Sequence, residues 1–391
     1  MRMDRLRDNF PSAKPIVMFL CWVVILLAAP ERGSAAEKIY PKPQGWDQLV
    51  EAAKREGTIV FYAPTGIDRR GAGIIEEAFK KSYPGITVQK NVGSGSMTLS
   101  RTLTERRANR YIPDVFIGGT STLLLGLKPA GALQPLGPNL ILPEVLDKSG
   151  WLMNRLWWAD AQEPYTTLMF LGYVQTMGAV NTKLANPREF TSYWDFLNPK
   201  WKGKIVAHDI RRGGTGGVVV RFVYKHPQLG PRYLERLFSE MDITLTGEVR
   251  QTVDFLGIGR YALGLFVGSE NLLQAQEQGL PVALVPAEQL KEGSPIAPSG
   301  GSIALMDRAP HPNAAKLFVN WLLSREGQIA YQESIALPSL RVDIPKTGLY
   351  SFDIPKPAVQ YAAGGAEDYS RIGAEAIRDV VTRALTKAGR Q

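Results

Sequence analysis

Small hydroxyl residues stand beside glycines at three points where a strand-like run gives way to a helix-like one. They are Thr65-Gly66, Ser94-Gly95-Ser96 and Gly119-Thr120-Ser121. Each group can turn free backbone N–H groups toward a bound oxygen, with a hydroxyl alongside. Any one of them alone reads better as a turn or a helix cap, but three in register on neighbouring strands shift the balance modestly toward a site. In the middle of the chain Asp209, Arg211 and Arg212 precede the run Gly213-Gly214-Thr215-Gly216-Gly217, and later Gly268 is followed by Ser269 and Glu270. A guanidinium binds carboxylate or phosphate through two parallel hydrogen bonds. The plainer alternative is that Asp209 simply pairs with one of the arginines. As a set, these residues suit an organic anion, a phosphonate or a zwitterion, whose amine Glu270 could hold.

The usual catalytic and cofactor patterns do not occur. There is no Walker loop, dinucleotide fingerprint or His-Glu-x-x-His. The strings nearest a nucleophile elbow, Gly213-x-Thr215-x-Gly217 and Gly119-x-Ser121, have no convincing histidine partner. His226 and His311 each precede a proline, which suits a capping or solvated role. His208, at a strand end, is the one histidine near the candidate loops. With one cysteine and three histidines in 391 residues, structural zinc, an internal disulfide and a histidine-rich metal site are not expected. No cofactor, no metal and no catalysis are therefore expected. If the chain were an exported enzyme, its general base would have to be His208, Asp209 or Glu270.

The elements that must position these loops alternate. A helical stretch at 46–56 leads to the β-branched and aromatic run 58–63, broken by Pro64-Thr65-Gly66. A helix at about 72–82 puts Ile74, Ile75, Ala78 and Phe79 on one face, and Pro84-Gly85 stops it. A strand at 86–89, a helix to about residue 110 and a strand at 114–117 follow. This βαβαβ order predicts a parallel sheet with helices on both faces, and such sheets bind ligands at the carboxyl ends of their strands. The pattern returns with a strand at 205–207, the glycine loop, a helix at 218–224, a strand at 261–267 and a helix to about residue 278. Two α/β units are thus predicted, which agrees with the two or three lobes that the length suggests.

At the amino end, Arg2, Arg5, Arg7 and Lys14 precede an apolar run at 16–29. That run is shorter than the roughly 20 residues a membrane span needs. Ser34-Ala35-Ala36 follows, so residues 1–36 read as a secretory signal cleaved near Ala36. Cys21 lies inside the apolar run after Leu20, which does not suit lipidation. Removing five of 46 basic and three of 37 acidic residues leaves 41 against 34, a net charge of +7 and no cysteine. The basic residues are scattered, with arginine pairs at Arg69-Arg70, Arg106-Arg107 and Arg211-Arg212. A nucleic-acid partner would want them clustered, so attraction for anionic solutes is the better reading.

Four passages resemble a known family. They are Val60-Phe61-Tyr62-Ala63; Asp114-Val115-Phe116-Ile117; Val180-Asn181-Thr182 with Trp194-Asp195 and the run from Asn198 to Ile205; and the run from Ala309 to Lys316 with that from Leu322 to Gln328. Over about 45–335 the chain is similar to periplasmic solute-binding proteins of ABC importers, especially the group often labelled ferric-iron binding. The resemblance implies an α/β fold of the two-lobe type II periplasmic binding protein kind. Each lobe would be a mostly parallel sheet flanked by helices, and a hinge would join the lobes. It implies one lobe at 37–140 and 295–345 and another at 141–294 and 346–391, with the amphipathic tail (Ile377, Val381, Leu385) docked on the second. It implies a periplasmic monomer that captures a small solute and delivers it to an inner-membrane permease whose ATPase is a separate chain. A ligand sensor for a membrane receptor would use the same capture. The chain departs from the ferric binders in two places. They usually carry adjacent tyrosines where this chain has Ser269-Glu270, and many have a histidine in the loop that here reads Pro64-Thr65-Gly66. Of the oxygen ligands that Fe³⁺ prefers, Glu270 and Tyr173 are the ones that remain.

Overall fold

The computed structural model describes residues 38–67 and 69–390. The expected secretory signal, 1–36, lies outside the described residues. The chain divides after Tyr40. Residues 38–40 form no regular element, and every helix and strand of the described residues lies within 41–390.

The βαβαβ expectation describes the opening unit. Thr58–Pro64 pairs in parallel with both Thr87–Gly93 and Val115–Gly118. The joining helices, Arg69–Ser82 and Gly95–Arg107, are the crossovers that parallel pairing requires. Three antiparallel pairings complete a six-stranded sheet with Ser302–Leu305, Leu168–Met169 and Trp157–Trp158. The last two strands belong to this sheet although they lie beyond the crossing expected near residue 140. A second sheet, in the order Val282–Leu284, Gly178–Asn181, Leu263–Leu265, Ile205–His208, Thr244–Thr246, is parallel across its last three strands.

Each sheet has its own core. One is drawn from residues 46–174 and 287–340, with Tyr361. The other is drawn from 177–290 and 377–385. Smaller clusters around Tyr62 and Phe116 and around Ala179 and Leu256 add to these two large cores, which make two lobes. Between them lies a three-stranded sheet of Tyr173–Val174, Ser294–Ala297 and Tyr361–Ala363. It aligns three passages of the chain, the third being the tail on its way to the second core.

The short motifs have local causes. The Asp114 carboxylate is buried at the head of its strand and accepts the Val60 N–H at 2.8 Å and the His311 N–H at 2.8 Å. The His311 Nδ1 lies 2.9 Å from it. The Glu56 carboxylate accepts from the Asn313 and Ala314 N–H groups and so caps the helix Pro312–Leu323. His311 and Asn313 therefore serve the fold. Asn198 caps the turn Pro199–Trp201, and the Trp201 ring is buried 5.7 Å from Phe190.

Arg341 is wholly buried. Its guanidinium grips Asp343 at 2.9 and 2.7 Å and also donates to the carbonyls of Glu144 and Leu323. Removing one partner of such a pair strands a buried charge, which costs about 3–5 kcal/mol. Asp343→Ala should lower stability by that much in urea unfolding. A loss under about 1 kcal/mol would show that Arg341 finds compensation elsewhere.

Candidate functional site

Two helices of the second lobe start at a common cleft. The loop before Gly217–Lys225 holds Gly213, Gly214 and Gly216 at φ of 78°, 82° and 87°, a region that disfavours side chains. At Gly216 a Cβ would also stand 2.7 Å from Cβ of Phe266, so only glycine lets this loop lie on that ring. Gly268, φ 71°, opens the helix Ser269–Glu277 in the same way. The unpaired N–H groups of both first turns therefore border one space.

That space is a cleft of about 860 Å³. The second lobe lines it with Gly214 to Val218 and with Gly268 to Asn271, Leu273, Gln274 and Glu277. The first lobe supplies Gly66, Ser299, Ile335, Ala336 and Leu337. Tyr173 and Gln175 enter from the three-stranded sheet, and Tyr350, Phe352 and Asp353 from the tail. The Tyr350 and Phe352 rings are parallel with centroids 5.5 Å apart.

The cleft is acidic. Glu270, Glu277 and Asp353 line it, and among the described residues no lysine, arginine or histidine does. Asp353 is buried, and burial pushes its carboxyl up to about 6, against a hydrogen bond from the Ser269 hydroxyl at 3.0 Å that pulls it down. Burial likewise raises the Tyr173 phenol, helped by the charges of Asp353 and Glu270, so these three groups share one electrostatic neighbourhood. Among the described residues, no group of three His, Cys, Asp or Glu side chains could hold a metal ion.

Of the residues singled out from sequence, Gly66, Tyr173, Thr215, Ser269 and Glu270 line this cleft. Thr65, Ser94, Gly95, Ser96, Gly119, Thr120, Ser121, Asp209, Arg211 and Arg212 are not among its lining residues. Ser94 caps Gly95–Arg107 by accepting the Met97 N–H, with the Ser96 hydroxyl 3.2 Å away, beyond the sheet's edge strand. Gly95 packs on Thr122, where a Cβ would stand 2.7 Å from its hydroxyl. Thr120 is buried against the tail, close beside Gly365, and Gly119 lies near the Ser299 carbonyl. Ser121 makes no cap bond. Asp209 accepts from Arg211 Nε at 2.9 Å and Nη2 at 2.9 Å, the self-contained pairing that sequence left open. Arg212 lies along Gly247. His208 is buried, with Nε2 3.3 Å from the Gly213 carbonyl.

Sequence reasoning passed over Gln175 and Glu277, and in the tail Tyr350, Phe352 and Asp353. The signal of the tail residues was present: Tyr-Ser-Phe-Asp at 350–353 sits between Pro345 and Pro355, an aromatic and acidic cluster held short of helix by prolines.

No curated protein sequence matches the chain. Solved structures share the fold. A Trichodesmium protein, IdiA (FutA), in complex with iron and citrate is 18% identical with a TM-score of 0.60, over 84% of this chain and 99% of that one. The Mannheimia haemolytica ferric iron-binding protein A, in an open conformation, is 13% identical with a TM-score of 0.61, over 84% and 98%. The Actinobacillus pleuropneumoniae periplasmic binding protein AfuA, with fructose-6-phosphate bound, is 17% identical with a TM-score of 0.51, over 85% and 99%. These likenesses make the two lobes those of the type II periplasmic binding proteins. Residues 74–334, 261 of the 391, match a family whose members bind solutes, and the chain belongs to the bacterial extracellular solute-binding proteins.

Proposed function

We propose that the chain captures a small zwitterion, an ammonium and an acidic group on one short frame, and passes it unaltered to an inner-membrane permease with a separate ATPase. The chain would work as a monomer in the periplasm, exported by its amino-terminal segment. We place the hinge at the paired passages 173–174, 294–297 and 361–363. The carrying observation is the balance of the cleft lining: three carboxylates and three aromatic rings, with no cationic side chain among the described residues. Carboxylates and ring faces favour a positive ligand group. The glycine-bordered helix starts favour a negative one. The family match, to proteins that bind solutes, supports capture over catalysis.

Binding to both lobes would favour the closed arrangement as a population shift. A thermal-shift panel tests the reading. Short amino acids and aminoalkylphosphonates should raise the melting temperature, by about 2.7 kcal/mol of stability at a hundred times the dissociation constant. The best of them should also shrink the radius of gyration. Stabilisation by neutral sugars or sugar phosphates alone would refute the zwitterion.

Ferric iron is a second reading, supported by the shared neighbourhood of Tyr173, Glu270 and Asp353, all hard oxygen donors. A visible charge-transfer band on adding ferric citrate, with no response to amines, would favour it.

A further inference from the structure

Among the described residues the cleft lining carries no cation, yet one stands directly behind it. Arg221 lies one turn into the helix Gly217–Lys225, and helical side chains lean back toward the amino end of their helix. Its Nη1 is 3.5 Å from where a Cβ on Gly217 would be, and Gly217 is itself part of the cleft wall. Arg221 Nε is buried and has no hydrogen-bond partner. Burial alone lowers the basicity of this guanidinium, with no acid beside it to raise it again. Arg341 grips Asp343 and Arg211 grips Asp209, while Arg155, which burial lowers in the same way, lies 3.8 Å over the Trp157 ring. A half-buried cation without an anion is costly to keep.

We propose that Arg221, together with the first turn of its helix, is the subsite for the acidic end of the solute, an oxyanion of the carboxylate or phosphonate kind. This rests on the zwitterion reading and deepens it. The subsite would set specificity: the carboxylates Glu270 and Asp353 hold the ammonium, and Arg221 selects for the acid.

The test does not need the natural solute. The mature protein, Arg221→Gln and Arg221→Met are melted in chloride buffer. The melts are repeated with acetate, methylphosphonate or inorganic phosphate replacing chloride at constant ionic strength. The unmodified protein should be stabilised by at least one oxyanion, and both variants should lose most of that shift. Acetate and methylphosphonate tell which class the subsite prefers. In chloride the variants should melt at or above the parent, because an unpaired buried charge has been removed. No oxyanion effect on the parent, an equal effect on the variants, or variants that melt well below the parent in chloride would each overturn the proposal. Propylamine binding, followed by calorimetry on parent and Glu270→Gln, separates the two readings. If amine binding depends on Glu270 while the oxyanions do nothing, Arg221 fails and the cationic half of the site stands. If oxyanions act through Arg221 and the amine does not bind, the zwitterion reading fails alone.

Discussion

A chain ended after Gly373 is expected to lose its second lobe rather than merely its last helix. Ala374–Lys387 buries Ile377, Val380, Val381, Ala384 and Leu385 in the second core, against the helix Gly230–Glu240. Burying each of the four larger side chains contributes roughly 1.5–3 kcal/mol, about 6–12 kcal/mol together. The whole margin of a folded domain is about 5–15 kcal/mol. The helix Gly230–Glu240 would moreover show its own apolar face, with Leu234, Leu237 and Phe238, to water. The truncated chain should therefore aggregate, or unfold without a cooperative transition from the second lobe, in urea followed by tryptophan fluorescence. Val381→Asp at full length should come close to the same result. Arg383→Ala, on the exposed face, should change stability by no more than about 0.5 kcal/mol. A truncated protein with an unchanged urea midpoint would show that the tail only rests on the surface.

That tail marks where the sequence stops being readable. Strands such as 58–64 and helices such as 46–56 show themselves because their burial follows from local period. The second lobe's half of the cleft is legible for a similar reason. Strand, glycine and helix start are consecutive there, so Thr215, Ser269 and Glu270 announce themselves. Trp157–Trp158 and Leu168–Met169 are two residues each, too short for any period; Leu168–Met169 joins the first sheet by pairing with a strand more than a hundred residues on, and Trp157–Trp158 joins by pairing with Leu168–Met169. Asp353 reaches the cleft because the tail crosses between the lobes, which no local pattern encodes. Arg211 and Arg212 looked like ligand groups because a sequence shows charges but not their partners. A partner two residues away, Asp209, was enough to satisfy Arg211. Arg221 is the converse, a charge ordinary in sequence that becomes conspicuous only when its surroundings hold no acid.

Asp353→Asn should weaken capture while leaving the empty protein no less stable above pH 6. A hydrogen bond to a charged group contributes about 1.5–3 kcal/mol, so affinity for a cationic or zwitterionic solute should fall about 10- to 150-fold at pH 7.5. The sign of the stability change follows from the raised carboxyl. Its folded value of about 6 stands above the usual 3.8, because burial disfavours the ionised form. The empty fold thus prefers the protonated acid. That preference is fully present below about pH 3.8 and is lost as pH rises through about 6. At pH 8 the unmodified protein keeps an ionised group where burial opposes it, and asparagine removes that burden. A bound ammonium reverses the preference and holds Asp353 ionised. Binding near pH 6 should therefore release part of a proton, which calorimetry detects as a binding heat that differs between buffers of unlike ionisation enthalpy. Affinity should decline as pH drops below 6, and Asp353→Asn should remove both the decline and the buffer dependence. If the variant binds as tightly as the parent at pH 7.5 and at pH 5, Asp353 does not touch the solute, and the tail lines the cleft without reading what enters it.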